Sequence, residues 1–162
     1  MKEFFAALLN GNNLAFLGVA LATIFPGLGS ARGVGLVGEA SSGLLSDDPS
    51  KFGKTIILQA LPGTQGIYGL ITGFLILFKM GVISRNVSTL AIADGVYFLL
   101  AALPITIVGY FSAVRQARVA ASGVSLLAKQ PNEVGKAITS AALVETYAIF
   151  ALLISLLMVL FA

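Results

Sequence analysis

The sequence predicts an all-α membrane protein in which four transmembrane helices form two duplicated hairpins of the same orientation. Three observations predict it. First, 57% of the 162 residues are hydrophobic and only 10% are charged, against about 25% charged in an ordinary soluble domain. Second, four apolar stretches reach the ~20 residues that a bilayer core of about 30 Å requires. Third, the chain repeats itself at an offset of 82 residues, and a repeat constrains the fold before any single element is assigned.

The spans are expected over residues 10–45, 54–79, 89–128 and 134–161. Their connections, "SDDPSKFGK" with Pro49, "KMGVISRNVS" with Gly81 and "AKQPNEVGK" with Pro131, gather turn residues and much of the chain's charge. The first and third spans are longer than a membrane needs, since 40 residues at 1.5 Å each reach about 60 Å, so one end of each is expected to project into water. The N-terminal "MKEFFAALLNGNN" has one lysine and too short an apolar patch for a signal peptide, and is expected to stay on the protein.

In the repeat, Gly27, Ser30 and Ala31 match Gly109, Ser112 and Ala113. Pro49 matches Pro131, Gly53 and Lys54 match Gly135 and Lys136, and Thr64 matches Thr146. Each copy holds two spans, so both copies enter the membrane in the same direction, unlike the inverted repeats of many secondary transporters. The chain therefore divides into a first hairpin over 1–82, without a membrane carboxylate, and a second over 83–162, carrying Glu145. At the same offset Glu145 falls on Gly63.

Basic residues set the expected sidedness. Arg32, Lys51, Lys54, Arg115, Arg118, Lys129 and Lys136 flank the first and third connections, whereas Lys2, Lys79 and Arg85 lie on the other side. This places loops 46–53 and 129–134 in the cytoplasm and both termini outside. Small residues at four-residue spacing, Gly29 with Gly33 and Gly27 with Ala31 and Gly35, let helix backbones approach closely in lipid. Gly109, Ala113, Ala117 and Ala121 repeat the pattern in the third span. Packing within one monomer explains such faces; their length and density favour a crowded assembly such as the inner wall of a ring.

Some chemistry is excluded at once. Without histidine or cysteine there are no disulfides, no thiolate chemistry and no histidine-based catalytic triad. The net charge of +3 is dispersed and does not point to nucleic acid. "GSARGVG" is no nucleotide fingerprint, because no strand precedes it, and no GxxxxGK[ST] phosphate loop is present.

One acid, Glu145, sits in the apolar run "ALVETYAIFALLISLLMVLFA". A charge at the bilayer centre costs about 2.5 to 3.5 kcal/mol on insertion scales, and intramembrane acids mark ion paths by default. Counted from the span ends, Thr64, Gln65 and Gln116 lie at the depth of Glu145. Leu61, Thr64, Gln65 and Tyr68 share one helical face by their three- and four-residue steps. Pro62 removes an amide that would bond the Leu58 carbonyl, loosening the turn where a backbone oxygen can face a ligand. Hydroxyl, amide oxygens, carbonyl and a single carboxylate form an all-oxygen set, which suits a hard monovalent cation and favours Na+ over H+.

These residues also carry a resemblance. "LQALPGTQGIYG" (58–69), "AVRQARVAA" (113–121) and "LVETYAI" (143–149), within a duplicated hairpin bearing one acid, closely resemble the proteolipid K subunits of bacterial V-type sodium-translocating ATPases. The resemblance implies a rotor subunit, not a catalyst on its own, repeated in a homo-oligomeric membrane ring with the first and third helices lining the inside. It implies Na+ held by the Leu61 carbonyl, Thr64, Gln65, Gln116 and Glu145, with Tyr68 hydrogen-bonding the carboxylate. The implied partners are a stator subunit with a membrane arginine, central-stalk subunits and membrane lipid. The same rotor carrying H+ is the alternative, and a four-helix pore or structural membrane protein is the alternative of another class. Arg32, Arg115 and Arg118 are expected to mark the cytoplasmic boundary. Glu39 is expected to be solvated or locally paired, and Asp94 to cap a helix or sit among headgroups.

Overall fold

The computed structural model describes residue 1, residues 9–87 and residues 89–162. Lys2 and the apolar patch after it, expected to stay on the protein, lie outside the described residues. Among the described residues four helices are long and apolar enough to cross a membrane: α1 (Gly11–Asp47), α2 (Pro49–Lys79), α3 (Ile92–Lys129) and α4 (Pro131–Leu160). The repeat is visible in their ends, since α1 stops at Asp47 and α3 at Lys129, while α2 and α4 start at Pro49 and Pro131. The corresponding C-caps also match: the Asp48 N–H donates to the Leu44 carbonyl and the Gln130 N–H to the Leu126 carbonyl.

α2 and α4 both begin earlier than the expected 54 and 134. Each opens with a 3-10 turn, Pro49–Lys51 and Pro131–Glu133, because proline suits a first helical position, where its missing N–H is no loss. Asp48 accepts from the Ser50 backbone and pairs with Lys51 at 3.2 Å. The Ser50 hydroxyl, then Lys51, hold its carboxyl below the usual carboxylate range. The second turn is tied to α2, since Lys54 Nζ donates to the Pro131 carbonyl at 2.8 Å.

α3 starts at Ile92, later than the expected 89. The chain before it is extended at Ala91, and the Leu90 N–H donates to Asn12 Oδ1 at 2.9 Å. That amide serves the start of α1 instead of a helical ladder. At the same end Gly81, with φ 77°, turns the chain out of α2, and the Asn86 N–H closes back on its carbonyl at 3.0 Å. Such a left-handed backbone is open to glycine at little cost.

α1 packs chiefly on α3, α2 on α1, and α4 on α3, while α2 also meets α3 and α4. The small-residue rows divide. Gly29 lies so close to α3 that an added Cβ would stand 2.8 Å from the Tyr110 carbonyl oxygen, whereas an added Cβ on Gly27 or Gly35 meets nothing within 4 Å. Pro26 of α1 is buried and inserts between Gly69 of α2 and Gly109 of α3. The Gly69 backbone closes on the Ala22 carbonyl, the one Pro26 cannot serve as a helical donor. Two apolar clusters result, one around Ala22, Ile76, Phe98 and Ile105, the other around Val37, Leu58, Ala117 and Val124. The outer faces of α2 and α4 expose Ile67, Phe74, Phe78, Leu143, Phe150 and Leu153. In water such a surface would be untenable; against lipid it is the expected solvent-facing side.

Candidate ion-binding site

Pro62 shapes the site from within α2. The α-helix Phe52–Ala60 gives way to a 3-10 turn, Leu61–Gly63, and the α-helix resumes at Thr64. The Leu61 carbonyl accepts from the Thr64 N–H and, at 3.0 Å, from the Thr64 hydroxyl. A new helical start leaves first-turn amides short of helical partners. One of them, the Gly66 N–H, donates across to Ser30 Oγ of α1 at 2.9 Å.

From this turn a hydrogen-bonded chain crosses three helices. Gln65 Nε2 donates to Gln116 Oε1 of α3 at 2.6 Å, and Gln116 Nε2 donates to Glu145 Oε2 of α4 at 3.1 Å. Tyr68 on α2 donates its hydroxyl to the other carboxylate oxygen, Glu145 Oε1, at 2.6 Å. Thr64 Oγ1 lies 3.4 Å from Gln65 Oε1. Both glutamines are fully buried. An unpaired polar group in that setting would cost about 1 to 3 kcal/mol, so the chain is also a packing requirement. Glu145 itself is half-buried, with exposed Leu143 and Tyr147 beside it on the lipid-facing side.

All six residues singled out in the sequence, Leu61, Thr64, Gln65, Tyr68, Gln116 and Glu145, thus meet in one network. Two serines were missed. Ser112 Oγ donates to the Val144 carbonyl at 3.1 Å and accepts from Gln65 Nε2 at 3.3 Å. Ser30 is its repeat mate, and the pairing of the two at the 82-residue offset was the signal that could have marked them. The other charged residues behave differently. Among the described residues neither Glu39 nor Arg32 forms an ion pair; both line an open groove with Arg118. Glu39 therefore takes the solvated alternative. Asp94 stands in the first turn of α3, exposed, and the helix has no side-chain cap. It acts there through the favourable field of a helix N-terminus, not as the N-cap.

What this arrangement can do chemically is hold a carboxylate inside a membrane with both oxygens engaged and neutral oxygens at its side. Comparison with known proteins gives the same direction. The family of the ATP synthase C subunit matches residues 17–76 and again 99–158, two stretches set apart by the repeat offset at both ends. The chain is 46% identical over 160 residues to the V-type sodium ATPase subunit K of Enterococcus hirae, covering 99% of each chain. It is 39% identical over 146 residues to the A-type ATP synthase subunit K of Methanocaldococcus jannaschii, covering 90% of this chain and 61% of that one. With the family unit present twice and four helices able to span the membrane, this chain belongs to the family of the ATP synthase C subunit, as a non-catalytic, ion-translocating proteolipid.

Proposed function

We propose that the protein is the rotor-ring subunit of a V-type ATPase and carries Na+ through the membrane at Glu145. The observation that carries this reading is the double engagement of the carboxylate by Tyr68 and Gln116. Both groups donate, which uses the two carboxylate oxygens as acceptors, and a carboxylate in lipid needs a cation as its counterpart. The Leu61 carbonyl, Thr64 Oγ1, Gln65 Oε1 and Gln116 Oε1 are the neutral oxygens that would complete the coordination. The name of the Enterococcus hirae relative supports Na+.

In this reading a loaded site is neutral and can pass lipid, whereas an emptied one is anionic and waits for a positive charge on the stator. By family resemblance that charge is a stator arginine. Tyr68 on α2 and Glu145 on α4 form a latch, since their bond must break for the carboxylate to swing toward the outer face. Moving each charge against 100 mV takes about 2.3 kcal/mol, which is supplied by subunits elsewhere in the assembly. The open row of Gly27, Ala31 and Gly35 supports close packing of a second copy in a homo-oligomeric ring. The basic ends at loops 46–53 and 129–134 are assigned to the cytoplasm, facing central-stalk subunits, with both termini outside. The hairpins 1–82 and 83–162 act as one unit with one ion.

The test is labelling of the purified ring with dicyclohexylcarbodiimide, which attacks protonated carboxyls. Glu145 is expected to react, and Na+ is expected to protect it. Labelling that follows pH alone, with Na+ indifferent, assigns the site to H+; an unreactive Glu145 counts against Glu145 as the carrier of either ion.

A further inference from the structure

We propose that Ser112 is a positioning residue of the ion site, fixing which end of the Gln65 side-chain amide faces the cargo ion. The inference rests on the Na+ reading above. A serine hydroxyl has one proton to give. In Ser112 that proton goes to the Val144 carbonyl at 3.1 Å, a group that can only accept. What Ser112 offers to Gln65 is therefore a lone pair, and only the amide nitrogen can answer it, at 3.3 Å. The amide oxygen of Gln65 is forced to the opposite side, toward Thr64.

The orientation is passed on. With its nitrogen toward α3, Gln65 donates to Gln116 Oε1, and Gln116 then aims its own nitrogen at Glu145. A flipped Gln65 would set its oxygen against Gln116 Oε1 and against the Ser112 lone pair. A simultaneous flip of Gln116 relieves the first clash only by placing an oxygen against the carboxylate. The order is thus held from both ends, by the carboxylate at one and by Ser112 at the other, and it presents Gln65 Oε1 to an arriving cation. Ser112 is buried, so water does not substitute for it freely. Ser112 also borders a groove lined by Phe111, Val144 and Tyr147, the side on which a threonine methyl has most room.

The assay is Na+ protection of Glu145 against carbodiimide in the purified ring at one fixed pH. In Ser112→Ala the Na+ concentration for half-protection is expected to rise about tenfold, the equivalent of one hydrogen bond's net worth. The labelling rate without Na+ is expected to stay near that of the unaltered protein. Ser112→Cys, of similar shape with weaker hydrogen bonding, should shift in the same direction by less, and Ser112→Thr should restore the original value. Thr106→Val removes a buried hydroxyl from the same helix, one bonded only to the Ala102 carbonyl, and should leave half-protection unchanged. An unshifted Ser112→Ala and Ser112→Cys, or an equal shift in Thr106→Val, overturns the positioning role while the Na+ site stands. Absence of Na+ protection in the unaltered protein overturns the site reading itself, and the positioning role with it.

Discussion

The Tyr68 hydroxyl donates to Glu145 Oε1 at 2.6 Å, joining α2 to α4, both of which expose large apolar side chains. The bond stands at the rim of the buried network, where the carboxylate is nearest the lipid-facing surface. In the proposed rotor this bond is the latch of the site.

Removing that donor should loosen the grip on the cation without destroying the fold. Tyr68→Phe keeps the ring and loses one charge-assisted bond, worth about 1.5 to 3 kcal/mol. Radioactive sodium binding to the detergent-purified ring is expected to weaken at least tenfold. Unchanged binding would show that Tyr68 is no latch.

Glu145→Gln should separate assembly from transport. The neutral amide avoids the insertion cost of about 2.5 to 3.5 kcal/mol, so membrane insertion and ring formation should be retained or improved. Sodium binding and carbodiimide labelling should both vanish. Persistent sodium binding would place the cation elsewhere.

Gln116→Leu should be worse for stability than its size suggests. It takes from buried Gln65 Nε2 its shorter partner, leaving only Ser112 Oγ at 3.3 Å, and takes from Glu145 Oε2 the Gln116 donor; an unsatisfied buried polar group costs about 1 to 3 kcal/mol. A lower thermal midpoint in detergent together with lost Na+ protection is expected. Loss of neither would detach Gln116 from the network.

Two glycines should fail in different ways. Gly69→Ala drives a methyl into Pro26 and the Ala22 carbonyl, and overpacking of this kind costs about 1 to 3 kcal/mol. Thermal unfolding in detergent should report it. At Gly35 an added Cβ meets nothing within 4 Å inside the monomer, so the bundle should form in Gly35→Leu, while the mass by light scattering should fall if a second copy packs there. Intact oligomers of Gly35→Leu would remove that row from the interface.

Much of the site was legible because lipid leaves so few polar residues to choose among. Thr64, Gln65, Gln116 and Glu145 stand out in apolar runs, and helix rise alone put them at one depth. The repeat was legible for a related reason, since matched prolines and glycines mark matched helix ends. What could not be read was rotation about the helix axes. Ser112 looked like another small residue of α3 until its hydroxyl was seen between Val144 and Gln65. Nor could the sequence show Asn12 capturing the Leu90 amide, which delays α3, or Pro26 filling the space opposite Gly69 and Gly109. These depend on long-range contacts that no local pattern encodes.

The pairing of Glu145 with Gly63 across the repeat has a mechanical meaning. In the proposed rotor, every two hairpins of circumference present one charge, so a full revolution moves half as many ions as a ring of undivided single-hairpin units. The same torque is then concentrated on fewer ions. Such gearing exchanges the number of ions moved per turn for the work available to each.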